Sequence, residues 1–597
     1  MNNTPAKLHK IVEARLAQAK RLHAGGRLGE AEALFSQLMK EVGGDALAVL
    51  EMAGAAAEMG EAEAALALYR KAHALAPDAP LILGHFGTFL ARIGQSGEAI
   101  ALLKKAVLLS PTNAQLAYNL GKVLAESGSP QQAIEAYRQA VRLDPKFTWA
   151  LVNLGNSLAD IGLHDEAALA YRQALDLEPG NAGFWNNYLL SSQYAEGVSA
   201  ASIFALSQDF ETHVGASLSK RWKPHGNSRD PERCLRIGYV SPDLKRHPVG
   251  YFLSGVLPNH DPDLFKIHVY SNHPKEDDLS AQLKGAVGSW TTVSGLDDKA
   301  LAQRIREDGI DILIDLAGHT ANNRLTVFGR KPAPVQVAWC GYVGTTGLRA
   351  MDVLIADRHH IPPGEDSFYV ERVIRLPDSW LCYTPPAAAP PVAPVPALAK
   401  GHVTFGCFNN PAKISKASIR LWQRILDKVP GARLCIRAAF FRTEEQIAIY
   451  RQRFSEAGAD VARIDFMPAL AQDKLLEAYG EIDIALDPFP YSGGITTLEA
   501  LWMGVPVITK TGASFPGRHS TSFLSTIGRQ ELIADSEEAY LEKAVALAKD
   551  KERLSSYRAH LRSQLSTSPL LDHKGFVAHL EQALQGLWRE YCSTTSR

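Results

Sequence analysis

The chain has 597 residues, too many for one hydrophobic core, so several domains are expected. Its 63 Lys and Arg against 64 Asp and Glu leave a net charge of −1, which gives no basis for nucleic acid or a membrane surface as the main partner. Six cysteines, at 234, 340, 382, 407, 435 and 592, form no CxxC pair and have no histidine cluster beside them, which argues against zinc and for a reducing compartment. The segment MNNTPAKLHK lacks the apolar run of a leader, and no stretch approaches the roughly 20 apolar residues of a membrane span, so a cytoplasmic location is expected.

Prolines recur at 77, 111, 145 and 179, each 34 residues apart. Gly26, Gly60, Gly94, Gly128 and Gly162 keep the same interval, as do Ala65, Ala99, Ala133 and Ala167 and the large residues Phe35, Tyr69, Leu103, Tyr137 and Tyr171. Such a register predicts a stack of helix–turn–helix units, an α-solenoid that holds other proteins. In the unit from Leu116 to Pro145, LAYNLGKVLAESG carries apolar residues at helical spacing and stops at Gly128, where a left-handed residue favours glycine. A second helix runs through QQAIEAYRQAVRL and ends at Asp144-Pro145. Five such units fit, the first degenerate, with Gly43 in place of the later proline. Asn119 and Asn153 hold the register and Asn187 follows with a shift. They are read either as a ladder of amides gripping the backbone of an extended peptide or as amides satisfying their own helix turns. The solenoid is placed at 1–182, with a helical cap and connector at 183–232.

From Cys234 the period changes. The runs LRIGYVS, FKIHVYS, IDILIDLAG, PVQVAWCGY and MDVLIAD alternate with helical stretches and predict a doubly wound parallel sheet over 233–383. The segment 384–400, in TPPAAAPPVAPVPALAKG, is read as a stiff, solvated linker. HVTFGCFN, ARLCIRA, RIDFMP, DIALDPF and VPVITK then announce a second α/β domain over 401–597. Asp261-Pro262-Asp263 spells DxD but is read as a turn before FKIHVYS, not as a metal site. Two such domains leave a crevice at the carboxyl ends of their strands, where ligands bind in this architecture.

Three motifs point into that crevice. DPFPYSGGITTLEALWMGVPVIT reads as strand, loop, Gly493-Gly494, Thr496-Thr497 and helix. A helix N-terminus offers free N–H groups and partial positive charge to an anion, and Glu499 one turn in is suited to accept from a ribose hydroxyl. An ordinary Thr-capped helix is the competing reading. No Walker lysine follows and no GxGxxG precedes, which disfavours an ATPase or a dehydrogenase. In FGCFNNPAKISK, Lys413 follows a strand and is placed to neutralise a departing diphosphate, though loop lysines are common. In SPDLKRHPVGYF, Asp243 and His247 follow the first strand, and His247 is a candidate base or orienting donor.

Taken together, the tetratricopeptide-like repeats, SPD…HPV, GHTANNRL…KPAPVQVAWCGYVGTTGL…MDVLIAD, TFGCFNN…K and LDPFPYSGGITTLEALWMGVPV resemble glycosyltransferase family 41. This is the family of protein O-GlcNAc transferase and the plant SPINDLY proteins, and GHTANN, TTGL, RLPDSWLCYTPP, FNNPAK and FPYSGG lean towards the SPINDLY branch. The resemblance implies a GT-B fold of two Rossmann-like domains. It further implies inverting sugar transfer to Ser or Thr of proteins, with no cofactor and no required metal. The implied donor is UDP-GlcNAc as first choice, with GDP-fucose as the SPINDLY-type alternative. His247, Lys413 and Asp243 then match catalytic positions. Gly344, Asn410, Leu470, Gln472, Gly493, Gly494, Thr496, Thr497, Glu499 and, less directly, Arg518 match the nucleotide-sugar site. His319 is shared with the SPINDLY branch without an assigned role. Leu475 stands where members place an aromatic residue or histidine against the nucleobase. That departure leaves the choice between uridine and guanosine open, and it is the feature in favour of the competing class, an inactive repeat scaffold, against which the intact Lys413 and Thr496-Thr497 stand. A homodimer is left open.

Overall fold

The structure, a computed structural model, describes residues 5–594. Residues 1–4, the start of the segment read above for a leader, and 595–597 lie outside the described residues. Two compact units divide the chain, 1–157 and 158–597.

Among the described residues ten helices follow one another from Pro5 to Leu177. The five turns inside the repeats each carry a left-handed glycine, with φ of 76°, 86°, 83°, 80° and 75° at Gly26, Gly60, Gly94, Gly128 and Gly162. That backbone need explains the glycine register. Ala65, Ala99, Ala133 and Ala167 are fully buried, and Tyr69, Leu103, Tyr137 and Tyr171 are buried beside them. Small residues let the paired helices approach, and the large ones fill the remaining space. Asp45, Asn113 and Asn181 cap three of the helices by accepting first-turn N–H groups, so helix starts as well as stops are written locally. The chain therefore forms tetratricopeptide-type helical repeats, which give way to helices Ala182–Ser192 and Ala200–Phe210.

The first sheet holds β1 Leu235–Ser241, β2 Phe265–Ser271, β3 Ser289–Thr292, β4 Ile312–Asp315, β5 Val335–Ala338, β6 Val353–Asp357 and β7 Arg372–Leu376. Its order is β3-β2-β1-β4-β5-β6-β7, with parallel pairing such as Leu235↔Phe265 and Ile237↔Ile312. The second holds β8 Thr404–Cys407, β9 Arg433–Ala438, β10 Ile464–Pro468, β11 Ile484–Leu486, β12 Val507–Lys510 and β13 Ile533–Ala534, in the order β10-β9-β8-β11-β12-β13. Both are doubly wound. Their strand order reverses between β1 and β4 and between β8 and β11, so the loops after those strands flank the crevices.

Two regions depart from expectation. The proline-rich segment is not a solvated linker throughout. Val395 and Ala397 are buried, the Ala397 N–H donates to Asp483 Oδ1 at 2.9 Å, and Arg562 donates to the Pro390 carbonyl at 2.8 Å. Rigid proline backbone loses little entropy on packing, so it lies down on the second α/β domain. The last helix, His573–Ser593, returns to the first sheet. Phe576 stacks on Trp339, Glu581 accepts from the Asp261 N–H and pairs with His260, and Arg372 holds Glu590 through both guanidinium ends at 3.0 and 2.8 Å. Asp261-Pro262-Asp263 forms a turn, with the Asp263 and Leu264 N–H groups donating back to Asp261. No helix among the described residues is long and apolar enough to cross a membrane.

Candidate active site

The second domain supplies the anion-facing half. After β11, Asp487 accepts the Gly493 N–H at 2.7 Å and the Thr509 hydroxyl at 2.7 Å. This folds the loop back on its strand. A Cβ at Gly493 would stand 2.4 Å from Thr497 Oγ1 and 2.9 Å from Asp487 Oδ1, so only glycine fits the fold-back. Gly494 precedes the helix Ile495–Trp502, and the Thr497 and Leu498 N–H groups both turn back to its carbonyl. Among the described residues the N–H groups of Ile495 and Thr496 meet no acceptor, as expected at a helix start.

Lys413 is brought to this turn. Asn410 caps the single 3₁₀ turn Pro411–Lys413 through its Oδ1. The Lys413 amine donates to the Ser492 carbonyl at 2.8 Å and lies 4.3 Å from the centre of the Tyr491 ring. Burial lowers its pKa to about 8, with Asp487 and Cys407 opposing the shift. It remains mostly cationic at pH 7.

The other nucleotide-site candidates are placed unequally. Thr496 donates to Asn409 Oδ1 at 2.9 Å. The Thr497 hydroxyl is buried against Ser520 at 2.8 Å. Glu499 is buried, not open to the crevice. It accepts from the Gln472 amide at 2.7 Å, and burial raises its pKa to about 7 against the hydrogen bonds of Gln472 and Tyr479. Leu470 is exposed and Leu475 half-buried. Arg518 is turned away from the helix start. It holds Glu365 of the first domain at 2.7 and 2.9 Å and donates to the His360 and Gly512 carbonyls. Four of the five guanidinium N–H groups are committed in this way.

The first domain supplies the opposite wall. His247 caps the helix Pro248–Leu253, its Nδ1 accepting the Val249 N–H at 3.3 Å, with Asp243 Oδ2 at 4.0 Å. Burial lowers the His247 pKa while Asp243 acts to raise it. A neutral ring that accepts at Nδ1 carries its proton on Nε2, which suits an orienting donor better than a base. One turn on, burial raises the Tyr251 pKa, with Arg246 opposing the shift and Glu499 adding to it. Gly344 lies against Gln193, where a Cβ would meet the amide at 2.7 Å.

His319 acts in support of this wall. It is buried, donates from Nε2 to the Thr346 carbonyl at 2.9 Å, and lies 2.7 Å from the Asn186 amide. Burial lowers its pKa to about 4. Thr345 and Thr346 in turn hold the buried Glu371. The GHTANN and TTGL runs are thus one polar cluster that shapes the loop bearing Gly344.

In the repeats, Asn119 accepts from Gln115 at 2.8 Å and Asn153 donates to the Tyr118 hydroxyl at 3.2 Å. Asn119 also lines a cavity of about 1350 Å³ with Tyr69, Phe89, Arg92 and Tyr118. Among the described residues no group of three or more His, Cys, Asp or Glu side chains is placed to hold a metal ion. Sequence reasoning passed over Asp487, Asn409, Tyr491 and Ser520. Asp487, directly after β11, carried a usable signal: a carboxylate at a strand end beside Gly-Gly is positioned to bind its own loop.

The sequence profile described as glycosyl transferase family 41 matches residues 218–383 and 396–580, more than half of the chain. The chain belongs to glycosyltransferase family 41. Tetratricopeptide repeat profiles match 87–146 and 150–181 of this family member. A Petunia hybrida protein, described as a probable UDP-N-acetylglucosamine–peptide N-acetylglucosaminyltransferase SPINDLY, is 41% identical over 421 residues. That match takes in 69% of this chain and 44% of that protein. The Arabidopsis thaliana protein of the same description is 39% identical, over 69% of this chain and 45% of its own length. The chain therefore spans less than half the length of these plant relatives. A solved structure described as a mutant of Thermobaculum terrenum O-GlcNAc transferase superposes with a TM-score of 0.78 at 35% identity, covering 87% of this chain and 98% of that one.

Proposed function

We propose that this chain transfers a sugar from a nucleoside diphosphate donor to Ser or Thr hydroxyls of proteins, with inversion and without a required metal. The observation that carries the reading is the Lys413 amine, 2.8 Å from the Ser492 carbonyl, beside a helix start with open N–H groups. The helix receives the pyrophosphate. The ammonium meets the negative charge that grows on it as the bond to the sugar breaks. The acceptor oxygen attacks the anomeric carbon from the opposite face and loses its proton. His247, donating from Nε2, orients the acceptor or the donor sugar across the crevice, while Asp243 or a water is left to take the proton. Gly344, by lacking a side chain, leaves room for the Gln193 amide packed against it.

The donor is UDP-GlcNAc, in line with the descriptions of the plant and bacterial relatives. Acceptor proteins lie along the repeats, whose cavity mixes aromatic rings with Asn119 and Arg92. The protein works in the cytoplasm. The test is incubation of the full chain with a cell lysate and either UDP-GlcNAc or GDP-fucose, followed by mass spectrometry of acceptor peptides. Added N-acetylhexosamine supports the reading, added deoxyhexose moves the donor to GDP-fucose, and no added mass with either contradicts transfer.

A further inference from the structure

The fifth repeat reaches the reacting centre through a side chain that its register does not explain. His164 follows the left-handed Gly162, and the matching positions of the earlier repeats are Leu28, Ala62, Ser96 and Pro130. None of these carries a side-chain nitrogen that could donate or accept. His164 is buried. Its Nε2 donates to the Ala412 carbonyl at 2.9 Å, and its Nδ1 is 3.1 Å from Ser191 Oγ. On the other side of Lys413, the Ile414 carbonyl accepts from Arg453 at 3.0 Å. Arg453 itself lies against Gly162, where a Cβ would stand 2.7 Å from its Nη1.

A second path from His164 ends on the same amine. The His164 ring stacks on Tyr194, centroids 4.8 Å apart at 21°. Tyr194 stacks on Tyr491 at 4.4 Å and 30°, and Tyr491 presents its ring to the Lys413 amine at 4.3 Å. Backbone bonds and ring stack close a loop around one lysine. Offset stacking and cation–π contact both depend on ring placement, so displacing any member displaces the amine.

We propose that His164 and Tyr194 are positioning residues that hold the Lys413 amine at the Gly493-Gly494 turn, which makes the fifth repeat and its cap part of the active site. This rests on the role of Lys413 given above. Truncating Tyr194 lets Tyr491 tilt and the lysine relax, while the helix start that binds the diphosphate stays in place. The effect falls on the transition state and not on donor binding.

The experiment compares wild type, Tyr194→Ala, Tyr194→Phe and His164→Ala as full chains, reading kcat, donor KM and hydrogen–deuterium exchange. Tyr194→Ala and His164→Ala are expected to lower kcat at least about tenfold with donor KM within about threefold. Exchange should rise in peptides covering 410–414 and 488–494 and nowhere else in the α/β domains. Tyr194→Phe keeps the ring and is expected to stay within about twofold of wild type. A Tyr194→Ala protein with wild-type kcat, or with unchanged exchange in both segments, overturns the proposal. So does a Tyr194→Phe protein as impaired as Tyr194→Ala. If the wild type transfers no sugar, the transferase reading fails on its own, and exchange alone decides: a rise at 410–414 supports the positioning role and its absence overturns it.

Discussion

Arg518 and Glu365 join the two α/β domains through a two-pronged ion pair, with N–O distances of 2.7 and 2.9 Å. The Arg518 side chain is 8% exposed, and it also ties down the His360 and Gly512 carbonyls. Removing one partner of a fully buried pair typically destabilises by about 3–5 kcal/mol, and because the Glu365 side chain left behind is 27% exposed the loss here should be smaller, about 1–3 kcal/mol. Arg518→Met should therefore lower the denaturation midpoint markedly. Affinity for UDP or GDP in the surviving folded protein should change by less than about threefold, since the guanidinium faces Glu365 and not the helix start. Chemical denaturation beside titration calorimetry separates the two effects. A large loss of nucleotide affinity with unchanged stability would reverse the assignment.

The pH dependence of turnover follows from Lys413. Burial lowers its pKa to about 8, and the receiving form is the cation. Activity should approach its full value about one unit below pH 8 and fall as pH rises through 8, well before an exposed lysine would titrate near 10.4. Lys413→Arg should turn over more slowly but lose that alkaline limb, since a guanidinium stays charged. A pH profile of kcat/KM for both proteins, which reports the free enzyme, checks this, and an alkaline limb that survives in Lys413→Arg belongs to another group.

Acid should loosen the joints of the site before it unfolds the rest. Burial lowers the pKa of His164 and of His319 to about 4. His519, joined to Asp357 through His360, is held well below its usual value by burial, His360 and Lys413. Between the unfolded value near 6.5 and the folded value, the unfolded chain binds the protons that the folded chain refuses. Stability is thus fully present above about pH 6.5 and falls as pH drops towards 4, by on the order of 3 kcal/mol each for His164 and His319. Thermal unfolding at pH 7.5, 6 and 5 should show a declining midpoint, and His319→Gln should flatten the decline. Equal midpoints at all three values would contradict the neutral, buried state of these rings.

Much of the architecture was legible because local rules wrote it. The repeat glycines mark left-handed turns, the alanines mark helix contacts, and β1 and β2 coincide with LRIGYVS and FKIHVYS. The strands that escaped notice, β3, β7 and β13, are edge strands. Ser289–Thr292 has no fully buried position, and Arg372–Leu376 buries only Leu376. The alternating or continuous apolar pattern that betrays an inner strand is weak there. The return of His573–Ser593 to the first sheet was equally hidden, since an amphipathic helix does not state which sheet it covers.

At the site, spacing brought Lys413, Gly493, Gly494 and Thr496 to one turn because strand ends at a switch point converge. It did not reveal that Thr497 and Glu499 point inward or that Arg518 meets Glu365, since those outcomes depend on partners 23 to 153 residues away. His164 looked like another helix residue for the same reason.

The most direct measurement is the single-turnover rate of Lys413→Ala with saturating donor and an unmodified peptide that the wild type glycosylates, beside a denaturation curve showing the fold intact. Loss of one preorganised donor to a developing charge is worth about 3–4 kcal/mol, so the rate should fall at least about a hundredfold. A variant that keeps half the wild-type rate would contradict a diphosphate received by Lys413 at the Gly493-Gly494 turn.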